Sequence, residues 1–247
     1  MAKTLILIPS RLSATRLPGK PLLKINGISI VSHVYKKALE SKIGEVYVAT
    51  EDQKIFDDIT SNGGKSILTS NQHKTGTDRI FEAYKKLKLK DVDYILNVQG
   101  DEPFINIKDI KNLDYLSKKL NSDMSTLACK INEKSNYNDK NIVKVITKSN
   151  LSSNKFSKAK GFYRILENFE KNNSYHHIGI YQYKVSILEK IVSLQQSENE
   201  IKENLEQLRA IDNNIDIDVI LANASTLGID TKEEYEQAKK LFDKKDK

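Results

Sequence analysis

Apolar residues fall in short, dense blocks through the first hundred positions, and polar stretches with helical spacing separate them. Lys3–Ile8, Glu45–Thr50, Ser66–Thr69 and Asp93–Val98 read as strands, while Ile30–Ser41, Lys54–Asn62 and Asp78–Leu89 read as helices. Gly63-Gly64 closes the second helix. Strand and helix alternating in this way predict βαβ units, hence an α/β fold on a mostly parallel, Rossmann-like sheet with helices on both faces. After about residue 120 the rhythm changes. Met124–Ile131, Ile142–Thr147, Tyr175–Tyr183 and Ile215–Leu221 are strand-like, and Val185–Leu194, Glu203–Ile211 and Lys232–Phe242 are helical. The polar, Lys- and Ser-rich stretch Asn150–Tyr163 reads as a mobile loop. The whole is expected to form a single nucleotide-binding domain over 1–247, with a smaller lobe from about 125 to 190.

Ligands of open α/β sheets sit beyond the carboxyl ends of the strands. Three loops, 9–20, 69–78 and 99–104, each follow a predicted strand, so they should crowd one edge. The first carries Arg11, Arg16 and Lys20, stiffened by Pro9, Pro18, Gly19 and Pro21. Three cations on a shaped loop suit a ligand with several negative charges, and polyphosphate is the first candidate, since Arg grips phosphate oxygens bidentately and Lys adds a compact charge. A solvated basic loop is the alternative. Neither a Gly-x-x-x-x-Gly-Lys-Ser/Thr loop nor a Gly-x-Gly-x-x-Gly fingerprint is present, so side chains would do most of the holding.

The third loop reads Gln99-Gly100-Asp101-Glu102-Pro103. An Asp there is placed to hold Mg²⁺, which binds one or two carboxylates together with substrate phosphates. Gln99 can read a base edge or a sugar hydroxyl, and an ordinary Gly-Asp turn is the competing reading. Asp230, before the last helix, is either a second metal carboxylate or that helix's N-cap. In the middle loop Thr75, Gly76 and Thr77 supply small donors, and Asp78 could cap the following helix.

Charge and composition narrow the field only a little. The chain has 40 Lys and Arg against 33 Asp and Glu, a net +7, but the Lys are scattered and no Trp or aromatic-interleaved basic patch marks a nucleic-acid surface. A nucleic-acid binder remains the reading from a different class. The single Cys129 excludes an internal disulfide and fits a cytoplasmic setting. No stretch reaches the roughly 20 apolar residues of a membrane span, and the amino-terminal run is too short for a signal peptide. His and Cys are too few and scattered for a zinc site, and no Gly-x-Ser-x-Gly elbow is present.

Taken in order, Ile8 to Pro21, His73 to Arg79, Gln99 to Pro103, His177-Ile178-Gly179-Ile180-Tyr181, Leu205 to Arg209 and Asp230-Thr231 resemble the 3-deoxy-manno-octulosonate (Kdo) cytidylyltransferases across nearly the whole chain. The resemblance implies a nucleotide-diphospho-sugar transferase fold with a smaller dimerising lobe, a cytoplasmic homodimer, Mg²⁺ dependence, and transfer of CMP from CTP to Kdo with release of pyrophosphate. By position it implies that Arg11, Arg16 and Lys20 grip the CTP phosphates, that Gln99 and Thr75, Gly76 and Thr77 hold the cytidine, and that Asp101 with Asp230 binds metal. Arg11, Lys20 and Asp101 would be catalytic. His177, Tyr181, Glu206, Gln207 and Lys158 would line the sugar-acid pocket. Two departures stand out: Lys158 replaces a family Arg, with the following Ile-Pro gone, and His176 stands where Arg is common. Lys keeps the charge without the bidentate fork, so the same CTP chemistry on another 3-deoxy-ulosonic acid, 8-amino-Kdo or a sialic-type acid, is the alternative.

Overall fold

A computed structural model of the 247-residue chain describes residues 2–13, 16–131, 137–166, 173–223 and 228–245. Ala14 and Thr15 of the cationic loop therefore lie outside the described residues. The first half follows the expected alternation: β1 (Thr4–Ser10), α1 (Ile30–Glu40), β4 (Gly44–Thr50), α2 (Gln53–Ser61), β5 (Ser66–Leu68), α3 (Gly76–Leu87) and β6 (Tyr94–Asn97). A two-stranded ribbon, β2 (Lys24–Ile25) with β3 (Ile28–Ser29), precedes α1. The second half holds α4 (Ile107–Lys119), β7 (Met124–Cys129), β8 (Lys144–Thr147), β9 (Ser157–Tyr163), β10 (Ser174–Lys184), α5 (Val185–Ser193), α6 (Glu198–Glu203), α7 (Leu208–Asp212), β11 (Asp218–Leu221) and α8 (Lys232–Lys245).

Nine strands form one sheet in the order β5-β4-β1-β6-β10-β7-β11-β9-β8. The block β5-β4-β1-β6 is parallel throughout. Beyond it the sheet is mixed, because β10 runs antiparallel to both β6 and β7 while β7 and β11 are parallel. The expected lobe segment thus contributes two central strands, β7 and β10, and two outer ones, β8 and β9.

β1 shows why the sheet is buried on both sides. Leu5 and Leu7 join one core with Ile80 and Ala83 of α3 and Leu188 of α5, and Ile6 and Ile8 join the other with Val31 and Val34 of α1 and Ile110 of α4. Successive side chains of a strand point to opposite faces, so an unbroken apolar run needs helices on each. Burying each such side chain is worth about 1.5–3 kcal/mol, which makes β1 a rigid base for the loop that follows it.

Three elements differ from the sequence pattern. The loop expected over Asn150–Tyr163 ends at Phe156, and Ser157–Tyr163 is a strand whose residues alternate buried and exposed from Ser157 to Lys160. Its buried positions are the small Ser157, Ala159 and Gly161 and then Phe162, out of step with the alternation, so apolar mass does not announce the strand. The helix expected over Glu203–Ile211 is broken at Asn204, in left-handed backbone, into α6 and α7. Finally α4, to which the sequence pattern assigns nothing, has an Asn106 cap and an Ile107/Ile110/Leu113/Leu116 stripe, diluted by the buried Asp109 and Asp114.

Candidate active site

The parallel strands deliver their loops to one edge, and β10, running the other way, presents its amino-terminal half there. Two adjoining cavities occupy this edge. One, of about 410 Å³, is lined by Arg11, Arg16, Lys20, Thr75, Gly76 and Asp101, among others. The other, of about 440 Å³, is lined by Thr77, His176, His177, Tyr181, Gln207 and neighbours. Gln99, Asn204, Glu206 and Asp230 line both. Every predicted site residue except Lys158 therefore lines one cavity or the other.

Lys20 stands at the junction. Gly19 precedes it with φ +67°, left-handed backbone that suits glycine, and opens the short 3-10 turn Lys20–Leu22. That turn carries Lys20 inward, leaving it 8 % exposed. Its Nζ donates to Asp101 Oδ2 at 2.6 Å and to Asp230 Oδ1 at 2.8 Å. Burial alone would lower the ammonium's pKa, but the two carboxylates outweigh it and hold Lys20 above its ordinary value. Burial likewise pushes Asp230 up, and the charges of Lys20 and Arg16 overcome it, so Asp230 sits below the usual range. Arg16 Nη2 lies 2.9 Å from Asp230 Oδ2, and Arg16 Nη1 donates to Asn141 Oδ1 at 3.0 Å. Arg11 is exposed and makes no ion pair among the described residues.

Gly100 and Asp101 do form the ordinary turn, closed by Glu102 N donating to Gln99 O at 3.4 Å, while the cap reading of Asp230 is decided by its neighbours. Thr231 and Glu234 cap α8 reciprocally, with Glu234 N donating to Thr231 Oγ1 and the Asp230 and Thr231 amides donating to Glu234 Oε2. Asp230 is thereby free of capping duty. Ile229 N donates to Asp101 O at 3.0 Å, a backbone tie that sets the two acids side by side. Gly100 is needed in the same loop, since a Cβ there would stand 3.0 Å from Pro9 O.

The middle loop behaves differently from expectation. Thr75 caps α3 by accepting from Asp78 N, and its hydroxyl donates to Asp78 Oδ2. Glu206 then seals the helix end: it accepts from Gly76 N and Thr77 N, each at 3.0 Å, and from Thr77 Oγ1 at 2.7 Å. The small donors of this loop are thus engaged within the protein, and Glu206, while lining both cavities, is also an anion seated on a helix amino terminus. Asp78 is further held by Arg209, which also grips Glu200 through two nitrogens.

On the far side, His177 is buried and its pKa falls to about 3, first from burial and then from His176. It is a neutral imidazole at physiological pH. Thr126 Oγ1 lies 2.7 Å from Ile180 O and 3.0 Å from His177 Nε2. With its one proton given to the carbonyl, the hydroxyl accepts from Nε2–H and fixes the tautomer. A bulge between Ile178 and Tyr181 brings both groups into reach. Ser10 Oγ, Asn97 Oδ1, Tyr181 Oη and Gln207 Nε2 are buried, lack partners, and belong to cavity-lining residues. Orphaned polar atoms gathered at one place mark a surface built for a polar ligand. The second cavity has five carboxylates among its lining residues, Glu102, Asp139, Glu206, Asp230 and Glu234, and no Lys or Arg.

Lys158 is the exception. It projects from β9 to pair with Asp216, is exposed, and lines neither cavity. Two residues that sequence reasoning missed support the site, Asp52 through a loop tether and Arg79 as part of the first cavity's lining. Asp52 leaves its helix uncapped and instead accepts from Leu12 N at 2.7 Å, tethering the cationic loop. Arg79, 3 % exposed, ties Glu51, Thr69 Oγ1 and Ser70 O together beneath the 69–78 loop.

Asp101 and Asp230 converge on a single cation, Lys20 Nζ, so both carboxylates are within reach of one ion. An all-oxygen pair of this kind, beside the cavity lined by Arg11, Arg16 and Lys20, has the donor chemistry that suits Mg²⁺.

Residues 5–217 match a family model described as cytidylyltransferase. A 3-deoxy-manno-octulosonate cytidylyltransferase of Thermodesulfovibrio yellowstonii is 43 % identical over 97 % of this chain and 98 % of its own. That of Afipia carboxidovorans is 39 % identical over 98 % of this chain and 97 % of its own. Among solved structures, a CMP:2-keto-3-deoxy-manno-octonic acid synthetase complexed with CTP is 34 % identical, with TM-score 0.88 over 99 % of this chain and 100 % of that one. No helix among the described residues is long and apolar enough to cross a membrane. A nucleotidyltransferase fold with paired carboxylates and cations at the strand ends, matched at this identity over nearly its full length, places the chain in the 3-deoxy-manno-octulosonate cytidylyltransferase family.

Proposed function

We propose that this protein transfers CMP from CTP to Kdo, releasing pyrophosphate, with the nucleotide in the Lys20-lined cavity and the sugar acid in the His177-lined one. The observation that carries this reading is the Lys20–Asp101–Asp230 cluster, set where the two cavities meet. Arg11, Arg16 and Lys20 supply positive charge for the triphosphate, and Gln99, which lines both cavities, stands between nucleotide and acceptor. The anomeric hydroxyl of the acid attacks the α-phosphorus and gives up its proton to solvent, a new O–P bond forms, and the bond to the β-phosphate oxygen breaks as pyrophosphate leaves. Positioning and charge stabilisation supply most of the rate in such a transfer. Mg²⁺, held by Asp101 and Asp230, would neutralise phosphate charge at this junction and so let an anionic acceptor approach.

The sugar cavity's own side chains favour hydroxyl recognition. His177 is neutral, Tyr181 Oη and Gln207 Nε2 are unsatisfied, and Glu206 offers acceptors toward sugar hydroxyls beyond its helix contacts. A cytoplasmic homodimer belongs to the same proposal, and light scattering at micromolar concentration tests the dimer. The reaction is tested by pyrophosphate release from CTP and Mg²⁺ with Kdo, 8-amino-Kdo or a sialic-type acid. Release with Kdo at the highest kcat/KM is expected, and release with another acid alone sinks the assignment of Kdo.

A further inference from the structure

Lys144 is the largest fully buried side chain among the described residues, and it has no part in the chemistry above. It leaves β8 opposite His176 of β10 and Tyr163 of β9. Its Nζ donates to two backbone carbonyls, Asp139 O and Arg164 O, each at 2.6 Å. Among the described residues it makes no ion pair. Burial of an ammonium is costly and lowers its pKa, with the charge of Asp139 opposing that shift and Arg164 adding to it. The fold tolerates that cost at a particular place.

Arg164 continues the construction. Its Nε donates to Glu203 O at 2.7 Å, Nη1 to Lys140 O at 3.0 Å and Nη2 to Asn204 O at 3.0 Å. Lys144 therefore holds the backbone of Asp139 and of Arg164, and the Arg164 fork holds Lys140 against Glu203 and Asn204. Two stretches of chain far apart in sequence, 139–140 and 203–204, are joined through these carbonyl contacts. The side chains that follow each stretch are the walls of the second cavity: Asn141, Ile142 and Val143 on one side, Leu205, Glu206 and Gln207 on the other. Neither Lys144 nor Arg164 lines that cavity. His177 N also bonds Val143 O at 2.9 Å, so the wall so held is in register with the imidazole.

From this arrangement we infer that Lys144 and Arg164 form a cationic brace behind the acceptor cavity, fixing the spacing of its 139–143 and 204–207 walls. They are positioning residues for the sugar acid and do not touch it. A buried cation bonded only to carbonyls suits such a brace. Carbonyls are available on any backbone, so the tie constrains the chain path without depending on neighbouring side-chain types. A planar guanidinium reaching three carbonyls fixes their relative positions more tightly than an ammonium could.

The inference rests on the proposed acceptor site, so the test has a part that needs no substrate. In Lys144→Met and Arg164→Gln, hydrogen exchange of free protein should quicken in 139–143 and 203–207 and stay unchanged in β1 and β4. With CTP and Kdo, KM for the acid should rise about tenfold or more, with CTP affinity by calorimetry within about threefold of wild type. Arg164→Lys keeps the charge but not the three-carbonyl fork, and should resemble Arg164→Gln. Wild-type exchange and wild-type KM in both principal variants would overturn the brace, as would full rescue by Arg164→Lys. Should Lys144→Met fail to fold, the half-buried Arg164 variants still decide the question. Absence of turnover by wild type on Kdo would instead count against the acceptor assignment, leaving the exchange result to judge the brace alone.

Discussion

Replacing Glu206 by Gln asks whether this carboxylate is chiefly an acceptor for sugar hydroxyls or a seat for α3. Three donors converge on it at 2.7–3.0 Å, two of them amides at a helix amino terminus. A carboxamide keeps one acceptor oxygen but turns an NH₂ toward the second donor. Exchanging charged for neutral hydrogen bonds costs about 1 kcal/mol, and a donor left unpaired costs about 1–3 kcal/mol where water is excluded. The lost attraction between anion and helix dipole adds about 0.3–1 kcal/mol. Glu206 lines both cavities and water reaches it, so we expect a net loss of about 2 kcal/mol in the free protein. For a chain of this size that is a fall in Tm of about 4–8 °C. Thermal unfolding without substrate is the assay, with Thr77→Val and the double variant completing a cycle. The pair should show a coupling of about 1 kcal/mol, since the hydroxyl and the carboxylate share one bond. A loss below about 0.5 kcal/mol, with no coupling, would refute the seat and leave Glu206 as a ligand only.

Lys20→Met should leave the fold intact by circular dichroism and cut turnover roughly 10²-fold or more. The same variant should bind Mn²⁺ more tightly in the absence of CTP, because Asp101 and Asp230 lose the cation that now occupies them; unchanged binding would argue against shared use of those acids. Asp101→Asn should raise the Mg²⁺ needed for half-maximal pyrophosphate release by about tenfold, and wild-type activity at low Mg²⁺ would contradict a ligand role. Glu82 gives a pH prediction. Partial burial pushes it up, but Lys86, His73 and the Ser70 amide outweigh that and hold it at about 2 against an ordinary 4.5. A depressed carboxyl stabilises the fold above the ordinary pKa and loses that contribution as pH falls from about 4.5 toward about 2. Wild type should therefore exceed Glu82→Gln by about 1–2 kcal/mol in urea unfolding at about pH 6, after allowing for solvent screening, and the gap should close by about pH 2.

The parallel half of the fold could be read from the chain because strands buried on both faces are continuous apolar runs, as Leu5–Ile8 and Tyr94–Leu96 are. The cationic loop and the Gln99–Pro103 loop were legible for a related reason: once the strands are parallel, their following loops must share an edge. What stayed hidden depends on contacts far apart in sequence. Nothing local distinguishes Asp52 as the tether of Leu12, or Lys144 from any other Lys on a half-polar strand. That Thr231, rather than Asp230, caps α8 was by contrast written locally, in the capping-box spacing Thr231-Lys232-Glu233-Glu234. β9 is inconspicuous because, Phe162 apart, its buried residues are small. Motif alone puts Lys158 in the sugar pocket, whereas the strand carrying it points it to Asp216.

The pairing of β8 also bears on how copies of the chain can meet. It bonds both β9 and the amino-terminal end of β10, while β9 reaches β11, β11 reaches β7, and β7 returns to β10. Five strands thus close on themselves, and β5, three residues long, leaves the nine-stranded sheet with an open side among the described residues. Unpaired edges are where chains add strands to one another, in orderly assembly or in aggregates. A sheet finished in this way offers little backbone for that purpose. Among the described residues, strand-to-strand pairing between copies would have to use β5 or the part of β9 beyond Lys158, since β9 meets β11 only at Ser157 and Lys158.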